Sequence, residues 1–411
     1  MANTRDLIGE QETLDGLINH TLTSIEEDGV DRLGNYALAY NTALTSVNFP
    51  GTTIAGQYAF VYCTELLSAS LSAATYIYSS CFSNCPKLTT PVISSATSLS
   101  PYAFSSCEAL PGLEVPTTVS SIPANCFNEC RTMTWLKLPK TSMVALDGAS
   151  AFTTTPIFLG LGAIYVPSNL VATYKDNDRW KKFIIASIDD YPLTDFSTIK
   201  DSWSEILAAE ANGTYSTKYA IGDTKKAVIN GNDVYMQIVA FDADTLTGGG
   251  TAKITWIARN FAETHKMNET GTNTDGWAAS GMRTWLRDTV YTSLDSDLKS
   301  AIKEVNKTYY DKTSNTTKTV ADTLWIPSWR EVGLDTTNAS CESSGPIYSD
   351  IFTSNSTTRM KYDTTTINAT VWWLRSANSS GVINFMGVIN NGSYSYYVAN
   401  LAYGVVFGFC T

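Results

Sequence analysis

The sequence predicts a multidomain protein: a β-rich repeat solenoid followed by an α+β unit. Three observations predict it. Phenylalanine recurs at 60, 82, 104 and 127, at intervals of 22, 22 and 23 residues. Beyond residue 214 this period disappears, and hairpin, strand and helix signals of ordinary globular type replace it. The last 35 residues, 377–411, contain no Asp, Glu, Lys or Arg. At 411 residues the chain has room for two or three domains.

The repeat is built from several positions that keep one phase. Leu38 stands 22 residues before Phe60. Three residues after each phased residue comes Asn41, Cys63, Cys85, Cys107 or Cys130, and six after comes Leu44, Leu66, Leu88, Leu110 or Met133. An apolar run follows: Val47 and Phe49, Ala69 and Leu71, Leu113 and Val115, Leu136 and Leu138, with Pro91 and Ile93 as a weaker copy. This period and pattern lie in the leucine-rich-repeat range. Each turn buries its Leu and Phe only against neighbouring turns, so several must stack. Cys81 and Cys126 occupy the place of Ala37, Ala59 and Ala103. Six of the eight cysteines are therefore read as small buried side chains. No Cys-x-x-Cys occurs to suggest a metal or redox site.

In chain order, residues 1–30 are expected to form an N-terminal cap or attachment segment. The solenoid spans 31–190 and closes with a capping helix, with Ser168 as N-cap and apolar residues at 170, 171, 174, 180 and 183. Residues 191–214 form a linker with a short helix, which starts near Asp201 and stops at Gly213. The second domain covers 215–411. It carries a hairpin over 227–241 around Asn230-Gly231-Asn232, strands at 253–258, 323–328 and 371–375, and a helical stretch over 284–302.

The charge balance of 28 basic against 39 acidic residues gives −11, without basic runs, so nucleic acid and anionic lipid are not expected partners. No apolar run approaches the ~20 residues of a membrane-spanning helix. The N-terminal residues lack the apolar core of a secretory signal. The expected location is therefore the cytoplasm, or an extracellular surface or virion reached by a route other than cleavage of a leader. His20 and His265 are too far apart in sequence to suggest a histidine metal site or a Ser-His-Asp triad. Asp242/Asp244, Asp295/Asp297 and Asp189/Asp190 lack an EF-hand frame and read as solvated turns. The glycine-rich run at 247–253 lacks phosphate-loop spacing. No catalytic residue, cofactor or metal is expected, and the protein is not read as an enzyme.

The tail carries the functional signal. Between 378 and 403, 16 of 26 residues are Asn, Tyr, Ser or Gly. Tyr gives large stiff contacts at low entropy cost, while Ser, Gly and Asn give adaptable hydrogen bonding, as in antibody combining sites. Two stretches that read as core, 370–376 and 404–410, flank the segment. Residues 377–403 are therefore the expected ligand-binding region.

Two resemblances sharpen this reading. Asn35-Tyr-Ala-Leu-Ala-Tyr-Asn-Thr-Ala-Leu44 and Pro101-Tyr-Ala-Phe-Ser-Ser-Cys-Glu-Ala-Leu110 resemble the leucine-rich repeats of bacterial surface proteins of the BspA type. Gly276-Trp277, Met282-Arg283, Leu286, Thr323-Leu-Trp-Ile-Pro-Ser328, Trp373-Leu-Arg-Ser376 and the closing Gly404-Val405 resemble a bacterial and phage domain with a C-type-lectin-like fold. Val406-Phe407 depart from that family's usual Arg-Pro. Some members are the variable proteins of diversity-generating retroelements, in which Asn codons are rewritten at their adenines. Such rewriting does not yield Lys, Glu, Gln, Met or Trp, and residues 387–403 contain none of them. The resemblance implies diversified, ligand-contacting positions at Asn378, Ile383, Asn384, Gly387, Ile389, Asn390, Ser393, Tyr394, Tyr396, Tyr397, Asn400, Leu401 and Tyr403. Phe385, Val388, Gly392, Ala399, Gly404 and Val405 would be frame. The implied function is a phage-tail receptor-binding protein that contacts a host cell-surface protein or glycan, with other tail proteins and a homo-oligomer as further partners. The alternatives are a bacterial cell-surface leucine-rich-repeat adhesin, and an enzyme of the formylglycine-generating type using Cys341 and Cys410.

Overall fold

The computed structural model describes residues 21–411 except 275, 335–341 and 379–380. Most of the segment read as an N-terminal cap, with His20, and also Cys341, lies outside the described residues. The chain divides into two compact units, Met1–Phe196 and Ser197–Thr411.

In the first unit each repeat contributes two short strands that pair in parallel with their counterparts about 22 residues on. One sheet joins Ser24–Glu26, Ser46–Asn48, Ser68–Ser70 and Thr90–Val92, and a second joins Arg32–Leu33, Ile54–Ala55, Tyr76–Ile77 and Ser98–Leu99. Both stop at the fourth rung. New sheets then start with Gly112–Glu114, Trp135–Lys137, Ala163–Val166 and Ile185–Ser187, and with Ser121–Ile122 and Ala145–Leu146. Inside, the phased phenylalanines form a stack from Phe60 through Phe82, Phe104 and Phe127 to Phe152, with centroids 5.0, 5.4, 5.7 and 5.8 Å apart.

The ladder cysteines behave as the repeat predicts. All six are buried and free. Cys63, Cys85, Cys107 and Cys130 donate their thiol protons to carbonyls of the previous turn, those of Leu38, Phe60, Phe82 and Phe104, at 3.0–3.2 Å. Burial pushes the Cys63 thiol up to about 12 and the others well above their ordinary value, so each stays a neutral donor.

The expected capping helix is three short pieces, Ser168–Leu170, Val171–Asp176 and Trp180–Lys182. Asn177 divides it, because its side chain accepts from the Arg179 and Trp180 amides and turns the chain. Ser168 donates to Asp189 instead of capping. The cover still works, since Tyr174 and Trp180 are buried in the solenoid core.

The second unit is mostly β-sheet with short helices, so the α+β expectation holds only in part. Thr224–Ile229, Asn232–Phe241, Ile254–Ala258 and Gly408–Cys410 form an antiparallel sheet. The predicted hairpin turns at Asn230 and Gly231, both with positive φ (50° and 79°), as a type I′ turn requires. The helix expected in the linker, Trp203–Ala211, belongs instead to this unit: Trp203, Ile206 and Ala209 enter its core. Ser202 and Glu205 form its capping box. The helical stretch near 284–302 breaks at Leu294, and Asp295 caps a new helix, Ser296–Ala301. The strand expected at 323–328 is reduced to one bridge, Trp325 to Gly408, because Pro327 has no N–H to extend a ladder.

A five-stranded sheet holds the tail. Its strands are β1 (Thr264–Lys266), β2 (Trp372–Ala377), β3 (Asn384–Val388), β4 (Tyr394–Val398) and β5 (Ala402–Gly404), in spatial order β1-β5-β2-β3-β4. β2 is central and β4 is an edge.

Candidate ligand-binding surface

β2 is the rigid floor. Trp372 and Trp373 are wholly buried, and their indole N–H groups donate to the Arg359 and His265 carbonyls at 3.1 and 2.9 Å. Arg375 is wholly buried against Glu331. The Ser376 hydroxyl donates to Glu342 at 2.8 Å and accepts the Trp329 amide at 2.8 Å. Burial raises the Glu342 carboxyl above its ordinary value, against the pull of Arg375.

β3 and β4 form a hairpin on this floor, with Phe385 opposite Tyr397, Met386 opposite Tyr396 and Val388 opposite Tyr394. At its tip Gly392 takes φ 77°, and a Cβ there would stand 1.7 Å from the Ser356 carbonyl oxygen. The Arg359 guanidinium donates to the Gly392 carbonyl at 3.0 Å, so the tip is tied down. Gly392, Phe385, Val388, Ala399, Gly404 and Val405 are buried.

The 13 predicted positions divide into three groups. Ile383, Asn390, Ser393, Tyr394, Tyr396, Asn400 and Leu401 are exposed, with Tyr394 and Tyr396 each at 39% and Ile383 and Leu401 each at 45%. Asn384, Ile389, Tyr397 and Tyr403 are half-buried. Tyr397 and Tyr403 meet Trp373 edge-on, with centroids 6.2 and 5.1 Å from it, and tilt against each other at 4.6 Å. Tyr394 meets buried Trp329 edge-on at 4.2 Å.

Asn378 and Gly387 depart from the expectation, because both are buried. The Asn378 backbone is held between Asn273 and Asn384: its carbonyl accepts from the Asn273 amide at 3.1 Å and its N–H donates to the Asn384 carbonyl at 3.0 Å. Gly387 lies under the Tyr397 ring, and a Cβ there would come within 3.1 Å of that ring and of the Trp372 carbonyl oxygen. Both positions are enclosed by the fold.

Sequence reasoning missed Asn273. This wholly buried side chain donates to the carbonyls of Asn378, Gly381 and Asn384 at 3.1, 3.1 and 2.6 Å, pinning the loop between β2 and β3. Its distance of more than 100 residues in sequence from its partners leaves no local signal. Val382, 58% exposed beside Ile383, was also missed.

The other chemistry-bearing residues have structural partners. Asp244 is buried and salt-bridged to Lys307, Asp242 pairs with Lys253, and Asp295 caps a helix. Cys410 is buried, and burial raises its thiol well above the ordinary value. His265 stacks on Trp285 at 4.3 Å. Among the described residues no helix is long and apolar enough to cross a membrane.

Comparison with known proteins finds similarity in both units. Residues 252–407 match a family described as "Domain of unknown function (DUF6273)". No curated protein matches. Among solved structures, a leucine-rich repeat protein from Bacteroides ovatus is 19% identical with a TM-score of 0.33, over 41% of this chain and 46% of that one. A leucine rich cell surface protein from Faecalibacterium prausnitzii is 23% identical with a TM-score of 0.29, over 36% of this chain and 43% of that one. A T. pallidum leucine-rich repeat protein is 19% identical with a TM-score of 0.28, over 40% and 69%. The chain thus spans under half the length of the first two. Residues 19–110 match the BspA type leucine rich repeat region in 6 copies, and the repeats over that span are of that type.

Proposed function

We propose that this chain is a surface-displayed, ligand-binding protein of the adhesin kind, in which BspA-type repeats accompany a domain that binds through the β3–β4 edge and its flanking loops. The observation that carries this reading is the exposure of Tyr394, Tyr396, Ile383, Asn390, Asn400 and Leu401 on a pinned sheet, in a segment without one ionised side chain. Rigid tyrosines beside small polar residues suit a protein or glycan ligand. A bacterial cell surface is the favoured setting, because the repeats are BspA-type.

The test is adhesion. The chain, displayed on a non-adherent bacterium, should confer binding to host cells. Replacing Tyr394 and Tyr396 together with Ala should abolish binding while the chain stays folded, with only a modest drop in thermal stability from the lost Tyr394–Trp329 contact. Full adhesion by that folded variant would refute the reading.

A second reading places the same surface on a phage tail, in a C-type-lectin-like domain diversified by a retroelement. The missing Lys, Glu, Gln, Met and Trp over 387–403 favour it. Sequences from related isolates should then vary at the exposed codons and not at Asn378 or Gly387. Variation spread evenly along 215–411 would count against it.

A further inference from the structure

Both solenoid sheets break at the same joint, and proline is the cause. In the first sheet Leu67 donates to the Thr45 carbonyl at 2.7 Å and Thr89 to the Leu67 carbonyl at 2.9 Å. The next donor in that series is Pro111, which has no N–H. Pro91, in the centre of the fourth strand, has none either. In the second sheet Tyr78 donates to Ala55 and Ser100 to Ile77, each at 3.0 Å, and the next donor position is Pro123. The turn side stays joined, with Phe104 N–H to the Cys126 carbonyl at 2.9 Å, Ser106 N–H to Asn128 at 2.7 Å, and an unbroken phenylalanine stack. The solenoid is therefore pinned on one side and open on its strand side.

A cleft of about 550 Å³ occupies the opening. Its walls are mostly apolar: Pro91, Val92, Leu113 and Pro139, with Trp135 lying across Gly112, where a Cβ would stand 2.2 Å from the ring. Val92 is 45% exposed. The Thr89 carbonyl and the Ile93 N–H, whose counterparts Leu67 and Leu71 are bonded to the next rung, make no such bond. The Glu114 carboxylate has no ion pair among the described residues; its cross-strand neighbour Lys137 turns to the Tyr191 ring at 3.8 Å.

We propose that this cleft docks an extended peptide segment of a partner protein, with an apolar side chain next to a lysine or arginine. The free main-chain groups at Thr89 and Ile93 form a strand edge that a peptide can extend. The apolar wall takes the apolar side chain, and Glu114 takes the basic one. Walls rich in proline offer few donors to a sugar.

The test is selection of a displayed random-peptide library on the full chain. Enriched peptides should carry Lys or Arg beside an apolar residue, and should slow amide exchange at Ile93. They should lose about tenfold or more in affinity on Glu114→Lys and be blocked by Val92→Arg. Replacing Pro91 and Pro111 together with Ala restores two donors, and should raise thermal stability while closing the cleft to the same peptides. No enrichment above the bare support, or peptides that bind Glu114→Lys and Val92→Arg as tightly as the parent, would overturn the proposal.

Discussion

Arg375 and Glu331 meet in a two-pronged ion pair, Nη1 to Oε2 at 2.6 Å and Nη2 to Oε1 at 2.7 Å, with both side chains buried. Lys307 adds a third contact to Glu331 at 3.0 Å, and the Ser328 amide a fourth at 2.9 Å. Burial alone would raise the Glu331 carboxyl, but the Arg375 and Lys307 charges hold it down at about 2. Removing one partner of a buried pair strands the other charge, at a cost of about 3–5 kcal/mol. Glu331→Gln should therefore lower unfolding free energy by that amount in urea titration. Because the folded value lies below the ordinary 4.5, the contribution is complete above 4.5 and fades as pH falls toward 2. The gap between parent and variant should narrow over that window. A gap under about 1 kcal/mol would show that the pair does not hold the floor of the binding surface.

Lys361 is 4% exposed, and its ammonium donates to the Ala258 and Arg259 carbonyls at 3.0 and 3.1 Å. Burial, and then the Arg259 charge, lower it from 10.5 to about 7. Between those values the unfolded chain holds a proton that the folded chain has released, so stability gains from rising pH. Relative to Lys361→Met, the parent should gain on the order of a few kcal/mol across that window, read from urea midpoints. A difference independent of pH would mean the lysine stays charged in the fold.

The solenoid was legible because each rung repeats one environment: Phe82, Cys85 and Leu88 do the same work as Phe104, Cys107 and Leu110. Its break was only half legible. Pro91 marked a weak copy, but the consequence needed the register, which shows that Pro91, Pro111 and Pro123 fall at one joint. In the second unit the strands around Trp373 and the uncharged edge could be read from residue type. The assignment of Asn378 and Gly387 could not, since composition does not separate an exposed Asn or Gly from one the fold encloses. Nor could Asn273, Glu331 and Lys307, since the loop carbonyls and opposite charges that hold them lie 24 to 111 residues away in sequence.

Asn273 links loop order to binding. Its carboxamide is the side-chain donor to three loop carbonyls, and its own N–H donates to the Val382 carbonyl at 2.9 Å. Asn273→Ala leaves the backbone bond but strips the three carbonyls of their shared donor, which should cost about 1–3 kcal/mol. Amide exchange should speed up at 381–384 more than in β4, and ligand affinity should drop with it. Unchanged exchange there would mean the loop is held by other contacts.

The sharpest contrast lies within the tail itself. Alanine at Gly387 places a Cβ 3.1 Å from the Trp372 carbonyl oxygen, a backbone atom at the sheet centre that cannot yield, and 3.1 Å from the Tyr397 ring. Overpacking of this kind costs about 1–3 kcal/mol, more than the ~0.5–1 kcal/mol that alanine regains in backbone entropy. Ile383→Asn, Asn390→Tyr and Leu401→Ser act on exposed side chains and should shift stability by less than about 0.5 kcal/mol. Thermal unfolding of the four variants separates frame from surface. If Gly387→Ala proves as neutral as the other three, the burial of that strand would not restrict what the position accepts, and the exposed residues would lose their claim to be the distinct contact set.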